Sequence, residues 1–204
     1  KRKPIFLHEQ NAVLGSANKL ITIFSKINFL GFPIEGIKRS VISGNPIRRS
    51  FVNNPDELND NNSINIYITG GSQGAEYINK KVPKIFQDFP FPVEIKHQCG
   101  KNNLENVKNL YLHQNIMAEV FEFYDNPAEQ ILWSDFVISR GGALSLSEIT
   151  SLKRGVIVIP LPTSIDNHQV ENAKIIEQIQ MGIIHDQKDS LDILLSKIYN
   201  IIEN

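Results

Sequence analysis

The stretch that most constrains this chain is Asp135-Phe-Val-Ile-Ser-Arg-Gly-Gly-Ala-Leu-Ser-Leu-Ser-Glu148. Phe136 to Ser139 reads as a buried strand, Gly141 and Gly142 as a tight turn, and Ala143 onward as a helix. Two glycines let the backbone approach a ligand closely and adopt positive φ. Free N–H groups at a helix start, with the dipole behind them, form an anion site. Ser145 and Ser147 are expected to add hydroxyl donors. Glu148 lies just over one helical turn past the glycines. A carboxylate there suits a diol such as ribose, because it accepts two hydrogen bonds, and it suits phosphate badly. Phosphate donors followed by a diol acceptor point to a nucleotide. The same pattern also arises as an ordinary βα turn carrying a surface Glu, since such turns recur in doubly wound folds.

A second unit of the same kind precedes it. Ile64-Asn-Ile-Tyr-Ile-Thr69 is a strand, Gly70-Gly-Ser-Gln-Gly74 follows at once, and Ala75 to Phe86 carries helical spacing in Ile78, Val82, Ile85 and Phe86. This is the usual opening of a Rossmann-like domain. A dinucleotide site would want an acid at the end of the next strand. That strand, Val93-Glu-Ile-Lys-His97, ends instead in His97-Gln98-Cys99-Gly100, which argues against NAD. Cys99 reads as a small buried residue, and His97 as a structural residue or a crevice wall.

Upstream, Pro4 to Asn11 reads as a short strand ending in His8-Glu9-Gln10-Asn11. Polar residues at a strand's C-terminal end mark ligand crevices in parallel sheets, and also plain polar loops. Ser16 is a candidate cap for a helix carrying Leu20, Ile21, Phe24 and Ile27. Arg39 to Ser43 is a second strand, broken by Gly44-Asn-Pro46. The Asn-, Asp- and Pro-rich residues from Phe51 to Ser63 read as a connection or surface loop. Downstream, Leu110 to Leu112 and Val120 to Tyr124 read as strands, and Ala128 to Trp133 as a helix. Val156 to Ile159 is fully apolar, as buried parallel strands are. Thr163 to Asn172 opens a helix with Asp166 as its cap and His168, Gln169 and Asn172 on its polar face. Ile183-Ile184 is a final strand and Ser190 to Ile202 a terminal amphipathic helix. Strand–helix alternation from residue 64 onward argues for an α/β fold, a parallel sheet covered by helices on both faces.

The formal net charge of −1 over 204 residues gives no bulk electrostatic case for nucleic acid or an anionic membrane. A single cysteine excludes an internal disulfide and fits a reducing compartment. No apolar run reaches the ~18 residues a spanning helix needs. There is no Asp-x-Asp, no Cys or His cluster at metal spacing and no Gly-x-Ser-x-Gly. Phosphate binding is therefore expected to rest on backbone dipoles, with no metal and no cofactor.

Four motifs in order carry a resemblance: His8-Glu-Gln-Asn11, Gly44-Asn-Pro-Ile-Arg48, Gly70-Gly-Ser-Gln-Gly74 and Arg140-Gly-Gly-Ala-Leu-Ser-Leu-Ser-Glu148. His97-Gln-x-Gly100 and Asp166-x-x-Gln169 add to it. Together they resemble the undecaprenyl-pyrophosphoryl-muramyl-pentapeptide N-acetylglucosaminyltransferase family, over nearly the whole chain. The resemblance implies a GT-B glycosyltransferase of two domains, at the cytoplasmic face of the bacterial membrane and peripherally associated with it. It implies that residues 1–43 are the tail of an incomplete N-terminal acceptor domain, 44–63 the interdomain connection and 64–204 the domain that binds UDP-N-acetylglucosamine. The lipid I acceptor would bind through the rest of the N-terminal domain.

By the same resemblance, Asn11 and Gln169 would touch the sugar, and Arg48 and Ser72 would lie near the diphosphate. Ala143, Leu144, Ser145, Leu146 and Ser147 would offer the helix N-terminus to the phosphates. Glu148 would hold the ribose. Tyr124 would meet the uracil, mainly through its backbone. The chain departs from the family in lacking its glycine-rich loop with a histidine, a favoured candidate for acid–base work. Leu14 stands where a Pro is usual, and Lys153-Arg-Gly155 where Gly-x-Pro is usual. Two functions stay open beside glycosyl transfer: a non-catalytic or partner-dependent nucleotide-sugar-binding fragment, and a UDP-sugar epimerase, for which the crevice offers few acid–base groups.

Overall fold

The computed structural model describes residues 3–52, 62–164 and 167–203. Near the N-terminus, β1 (Phe6–Glu9), α1 (Ser16–Ile21), β2 (Ile27–Leu30) and β3 (Ser40–Ile42) build a three-stranded parallel sheet in the order β1-β2-β3. The larger sheet contains β4 (Ile64–Thr69), β5 (Val93–Gln98), β6 (Ala118–Phe121), β7 (Phe136–Ser139), β8 (Gly155–Val158) and β9 (Gly182–Ile184). Its order is β6-β5-β4-β7-β8-β9, all parallel. The intervening helices are α2 (Glu76–Lys81), α3 (Leu104–Leu112), α4 (Pro127–Trp133), α5 (Ala143–Ser151), α6 (His168–Gln178) and α7 (Leu191–Glu203).

Strand alternation divides the core into two layers. Ile66, Ile68, Ile95 and Ile138 face one side, where they meet Ile78 of α2, Tyr111 of α3 and Leu194 of α7. Tyr67, Val137, Val156 and Val158 face the other, against Ile131 of α4, Leu146 of α5 and Ile176 of α6. From β4 the chain builds outward to β6, then returns to place β7 on β4's other side. The reversal lies between β4 and β7, the two strands that lead into the glycine turns. Ligands of open parallel sheets bind beyond the strand ends at such a reversal.

Several expectations need correction. The first helix ends at Ile21, and Ile27 begins β2, a strand the spacing did not reveal. Ser25 Oγ donates to Asn28 Oδ1 at 2.6 Å, and Asn28 Nδ2 to the Lys38 carbonyl at 3.0 Å. These local bonds offer the backbone an alternative to continuing the helix. Ser16 is the first helical residue, Gly15 holds the cap position, and no side chain caps it. Leu20 and Phe24 are 73% and 71% exposed, so the apolar positions of that stretch do not face a core. Leu110 to Leu112 closes α3 and is not a strand. Val107 and Tyr111, four residues apart, form its buried face. The helix expected over Ala75 to Phe86 is α2 followed by a 3₁₀ turn, Val82–Phe86, where Pro83 brings no N–H. Strand β6 begins at Ala118 and ends at Phe121, short of Tyr124. Asp166 lies outside the described residues, as do residues 53–61 of the connection. Asn167 occupies the cap position of α6 with φ 56° and makes no side-chain cap bond. Among the described residues no helix is long and apolar enough to cross a membrane.

Candidate functional site

One glycine turn packs against the end of β5 and the other against the start of α6. A Cβ on Gly100 would lie 2.2 Å from the Gly74 nitrogen, and one on Gly141 would lie 2.3 Å from the Gln169 carbonyl oxygen. Gly74 and Gly100 also take φ of 74° and 78°, which only glycine adopts at little cost. The motifs at 70–74 and 97–100 are thus one structural unit, and those at 140–148 and 169 another. Between them opens a crevice of about 720 Å³, lined by Ser72, Tyr77, Arg140, Gly142, Ser145 and Gln169 among others. Beside it lies a cleft of about 150 Å³, walled by Arg48, Tyr67, Gln98, Tyr124 and Glu148. Thr69, Gly71, Ser72 and Ser145 border both, so the two spaces adjoin.

Helix α5 presents its N-terminus at this junction. Its first internal bond runs from the Leu146 N–H to the Gly142 carbonyl at 2.9 Å. The amides of Ala143, Leu144 and Ser145 precede that bond and remain outside the helical ladder. The residues of the run differ in what they offer. Ala143 and Leu146 are buried in the core, and Leu144 is exposed, so none of the three brings a polar side chain. Ser145 brings a hydroxyl to both spaces. Ser147 does not, contrary to expectation. Its hydroxyl donates to the Ala143 carbonyl at 2.9 Å and accepts from Asn45 Nδ2 at 3.0 Å, which ties the connection to α5.

Glu148, one turn further on, forms a two-point ion pair with Arg48. The Glu148 side chain is mostly buried, whereas the Arg48 side chain is half exposed. The guanidinium also lies 4.9 Å from the centroid of the Phe51 ring, which packs in the core.

Gln169 shows how a side-chain amide can be oriented without ambiguity. Its Oε1 accepts from the Leu161 N–H at 2.9 Å and the Gly141 N–H at 3.2 Å. A backbone N–H can only donate, so Oε1 must face inward and the NH₂ is left for the crevice. Asn11 lines neither space. It is tied to the Gly141 turn by Asn172, a buried residue absent from the expected site. Asn172 Oδ1 accepts from Ala12 N–H at 2.7 Å, and its Nδ2 donates to Asn11 Oδ1 at 3.2 Å and to the Gly141 carbonyl at 3.0 Å. Glu9 anchors the same loop. Burial alone would raise its pKa, but the N–H groups of Asn11 and Gly15 and the amides of Asn18 and Asn11 together hold it below its usual value. Its carboxylate therefore holds the loop together. His8 is 3.3 Å from the Gly44 carbonyl through Nε2 and borders neither space.

His97 is fully buried, and burial pushes its pKa down to about 3. Asn79 Nδ2 donates to the Cys99 carbonyl at 2.8 Å, so Asn79 Oδ1 must accept from His97 Nε2–H at 3.1 Å. His97 Nδ1 then accepts from the Tyr111 hydroxyl at 2.9 Å. The ring is a neutral structural post, and Cys99 is sealed beside it. Gln98, next along the strand, projects to the opposite face by simple alternation and borders the smaller cleft. That alternation was available in the sequence as the signal for Gln98. The roles of Asn172 and Arg140 had none, because they depend on contacts between distant segments. Arg140 Nη1 donates to the carbonyls of Ile159 and Pro160 at the end of β8.

Residues 65–204 match the C-terminal domain of glycosyltransferase family 28. The chain belongs to that family. Two relatives carry the name UDP-N-acetylglucosamine--N-acetylmuramyl-(pentapeptide) pyrophosphoryl-undecaprenol N-acetylglucosamine transferase. The one from Aeromonas hydrophila is 38% identical over 174 residues, which is 83% of this chain and 48% of the relative. The one from Vesicomyosocius okutanii is 37% identical over 201 residues, 98% of this chain and 56% of the relative. The chain thus spans about half the length of these relatives. The crystal structure of Acinetobacter baumannii MurG superposes with a TM-score of 0.84 at 30% identity, covering 98% of this chain and 59% of that one. The kitacinnamycin glycosyltransferase superposes with a TM-score of 0.65 at 13% identity, a likeness of fold alone. The family 28 chain has the parallel α/β fold of GT-B glycosyltransferases.

Proposed function

We propose that this family 28 chain is the donor-binding part of an enzyme that transfers N-acetylglucosamine from UDP-N-acetylglucosamine to undecaprenyl-pyrophosphoryl-muramyl-pentapeptide. The observation that carries the reading is the set of groups that line the two adjoining spaces. Gln98, Tyr124 and Glu148 line the smaller, Ser72 and Ser145 at the start of α5 border both, and Gln169 lines the larger. The base and ribose of a UDP-sugar would take the smaller space, its diphosphate the shared border and its sugar the larger. Asn11, tied through Asn172 to the Gly141 turn, would complete the sugar end.

In this reading the acceptor hydroxyl displaces UDP at the anomeric carbon with inversion. The α5 dipole and Arg48 stabilise the charge that develops on the leaving diphosphate. No residue of this chain is assigned as the base that takes the acceptor proton. Residues 1–43 belong to the acceptor-binding domain, 44–63 to the connection and 64–204 to the donor domain. The exposed apolar side chains Phe6, Leu20, Ile23, Phe24, Val41 and Ile42 support the first assignment, since such a cluster marks an interaction face. The whole enzyme works at the cytoplasmic face of the membrane, held there peripherally by its acceptor domain.

Mass spectrometry of products tests the reading. UDP-N-acetylglucosamine is incubated with the chain alone, with lipid I added, and with the N-terminal half of a full-length relative added in trans. Donor binding without transfer is expected from the chain alone, and transfer to lipid I once the relative's N-terminal half docks. Epimerised UDP-sugar as the product would overturn the transfer reading. A binding module without catalysis is the second reading, favoured because His8 faces Gly44 and borders neither space.

A further inference from the structure

The larger crevice carries a hydroxyl whose proton is directed by a buried imidazole. Tyr77 of α2 is partly buried and lines this crevice, but not the smaller cleft. Its hydroxyl lies 3.2 Å from His185 Nε2. His185 directly follows β9 and is fully buried. Its backbone N–H donates to the Val158 carbonyl at 2.9 Å, which prolongs the β8–β9 pairing and fixes the ring's attachment. Burial lowers the His185 pKa, and the Lys197 cation adds to this against the Asp189 and Asp186 carboxylates, so the ring is neutral. A neutral imidazole carries one ring proton. His185 Nδ1 is sealed and has no hydrogen-bond partner. Buried N–H groups without a partner are rarer in folded proteins than under-used acceptors, so Nδ1 holds the lone pair and Nε2 the proton. The Tyr77 oxygen therefore accepts from Nε2–H, and its own proton is left to donate.

A ligand that takes this proton brings an acceptor, and the neighbours of Tyr77 decide its kind. Arg140 lines the same crevice, and its charge acts on Tyr77. The two carbonyls that accept from Arg140 Nη1 pin the guanidinium in place. Lys81 adds a second cation to the lining, and Glu76 is taken up by Lys80 at 2.6 Å. A hydroxyl donor beside fixed positive charge suits an anionic oxygen better than a neutral one. In the proposed site the base and ribose would take the smaller cleft, which Tyr77 does not border. The phosphate that meets Tyr77 is then the one farther from the ribose. We propose that Tyr77 donates a hydrogen bond to the terminal phosphate of the UDP group, and that His185 is the positioning residue that aims it. The inference rests on the donor-site reading above. Negative charge grows on that phosphate as the bond to the sugar breaks. A hydroxyl already aimed at it stabilises the leaving group without reorganising.

Two measurements test it. Long-range proton–nitrogen NMR correlation on the isotope-labelled chain, free of ligand, reads which ring nitrogen of His185 carries the proton. A protonated Nε2 with a bare Nδ1 is expected, and a proton on Nδ1 overturns the inference. Calorimetric titration with UDP and with UMP then compares the wild type with Tyr77→Phe, which keeps the ring and removes only the hydroxyl. UDP affinity is expected to fall about tenfold or more, the loss of one hydrogen bond to a charged group, and UMP affinity to hold. His185→Phe keeps a ring but no N–H, and is expected to weaken UDP by a smaller factor and to leave UMP unchanged. Equal losses for UDP and UMP in Tyr77→Phe would mean that the hydroxyl only braces the fold. A loss confined to UDP-N-acetylglucosamine would place the hydroxyl on the sugar. Either result overturns the inference while the donor site stands, as does a Tyr77→Phe chain that binds UDP like the wild type. Failure of the wild type to bind UDP overturns the donor-site reading and this inference with it.

Discussion

Arg48 and Glu148, 100 positions apart in sequence, meet with Nε 3.0 Å from Oε1 and Nη2 3.2 Å from Oε2. The carboxylate assigned to the ribose thus already has a partner, and that partner is the cation assigned to the diphosphate. Arg48 is half exposed, and an ion pair with so exposed a member contributes only about 0–1 kcal/mol. In the proposed donor site a nucleotide would exchange it at small cost, taking Glu148 for its diol and releasing Arg48 to its phosphates.

This exchange gives the first prediction. Glu148→Ala removes the diol acceptor and leaves Arg48 free. UDP affinity is expected to fall about tenfold or more, since hydrogen bonds to a charged group are worth ~1.5–3 kcal/mol. Pyrophosphate affinity is expected to hold or rise. Calorimetry with both ligands checks it, and equal losses would remove Glu148 from the ribose.

Asn172 supplies the second. Asn172→Asp keeps the acceptor for the Ala12 N–H but sets an oxygen against the Asn11 and Gly141 oxygens. Leaving these buried groups unsatisfied should cost about 2–3 kcal/mol of stability. Binding of UDP-N-acetylglucosamine should suffer more than binding of UDP, because Asn11 is proposed to touch the sugar. Thermal unfolding and titration of both ligands test it. Equal losses for both ligands would mean that the clamp does not reach the sugar.

The third concerns pH. His97 stays neutral in the fold, with a pKa of about 3, and takes a proton near 6.5 when unfolded. The unfolded chain therefore binds more protons below pH 6.5, and stability falls as pH drops toward 3. The slope approaches about 1.4 kcal/mol per pH unit. Glu9 acts in a lower window. Its folded pKa lies below 4.5, so its contribution is full above that value and is lost as pH falls through the lowered one. Between pH 6 and 5 the slope belongs to His97 together with His185, whose pKa burial also lowers. Urea midpoints should fall over that interval in the wild type and fall less steeply in His97→Gln. Matching slopes would show that His97 is not the group responsible.

Much of this was legible in the sequence wherever one local pattern decided the outcome. Residues 64–69, 136–139 and 143 onward fall where the strand–glycine–helix pattern places them, because buried strands and glycine turns are written in adjacent residues. Ile27 and Leu110 to Leu112 were misread because short apolar runs fit both periods, and burial decided between them. Within the site, the motifs pointed to the right walls but not to the division of labour inside each. Ser147 looks like Ser145 in sequence, yet Asn45, from the distant connection, occupies its hydroxyl. Glu9 looked like a crevice group until its four donors were seen around it. The Asn45–Ser147 and Asn11–Asn172 contacts join residues 102 and 161 positions apart, beyond the reach of any local pattern.

The central claim is that the two adjoining spaces form one site for a UDP-sugar, built on backbone amides and side-chain donors. Isothermal titration of this chain with UDP-N-acetylglucosamine in excess EDTA tests it most directly. Saturable one-to-one binding, competed by UDP and unchanged by added magnesium, is the expected result. Binding that vanishes in EDTA and returns with magnesium would contradict the claim, as would a chain that binds no UDP-sugar under either condition.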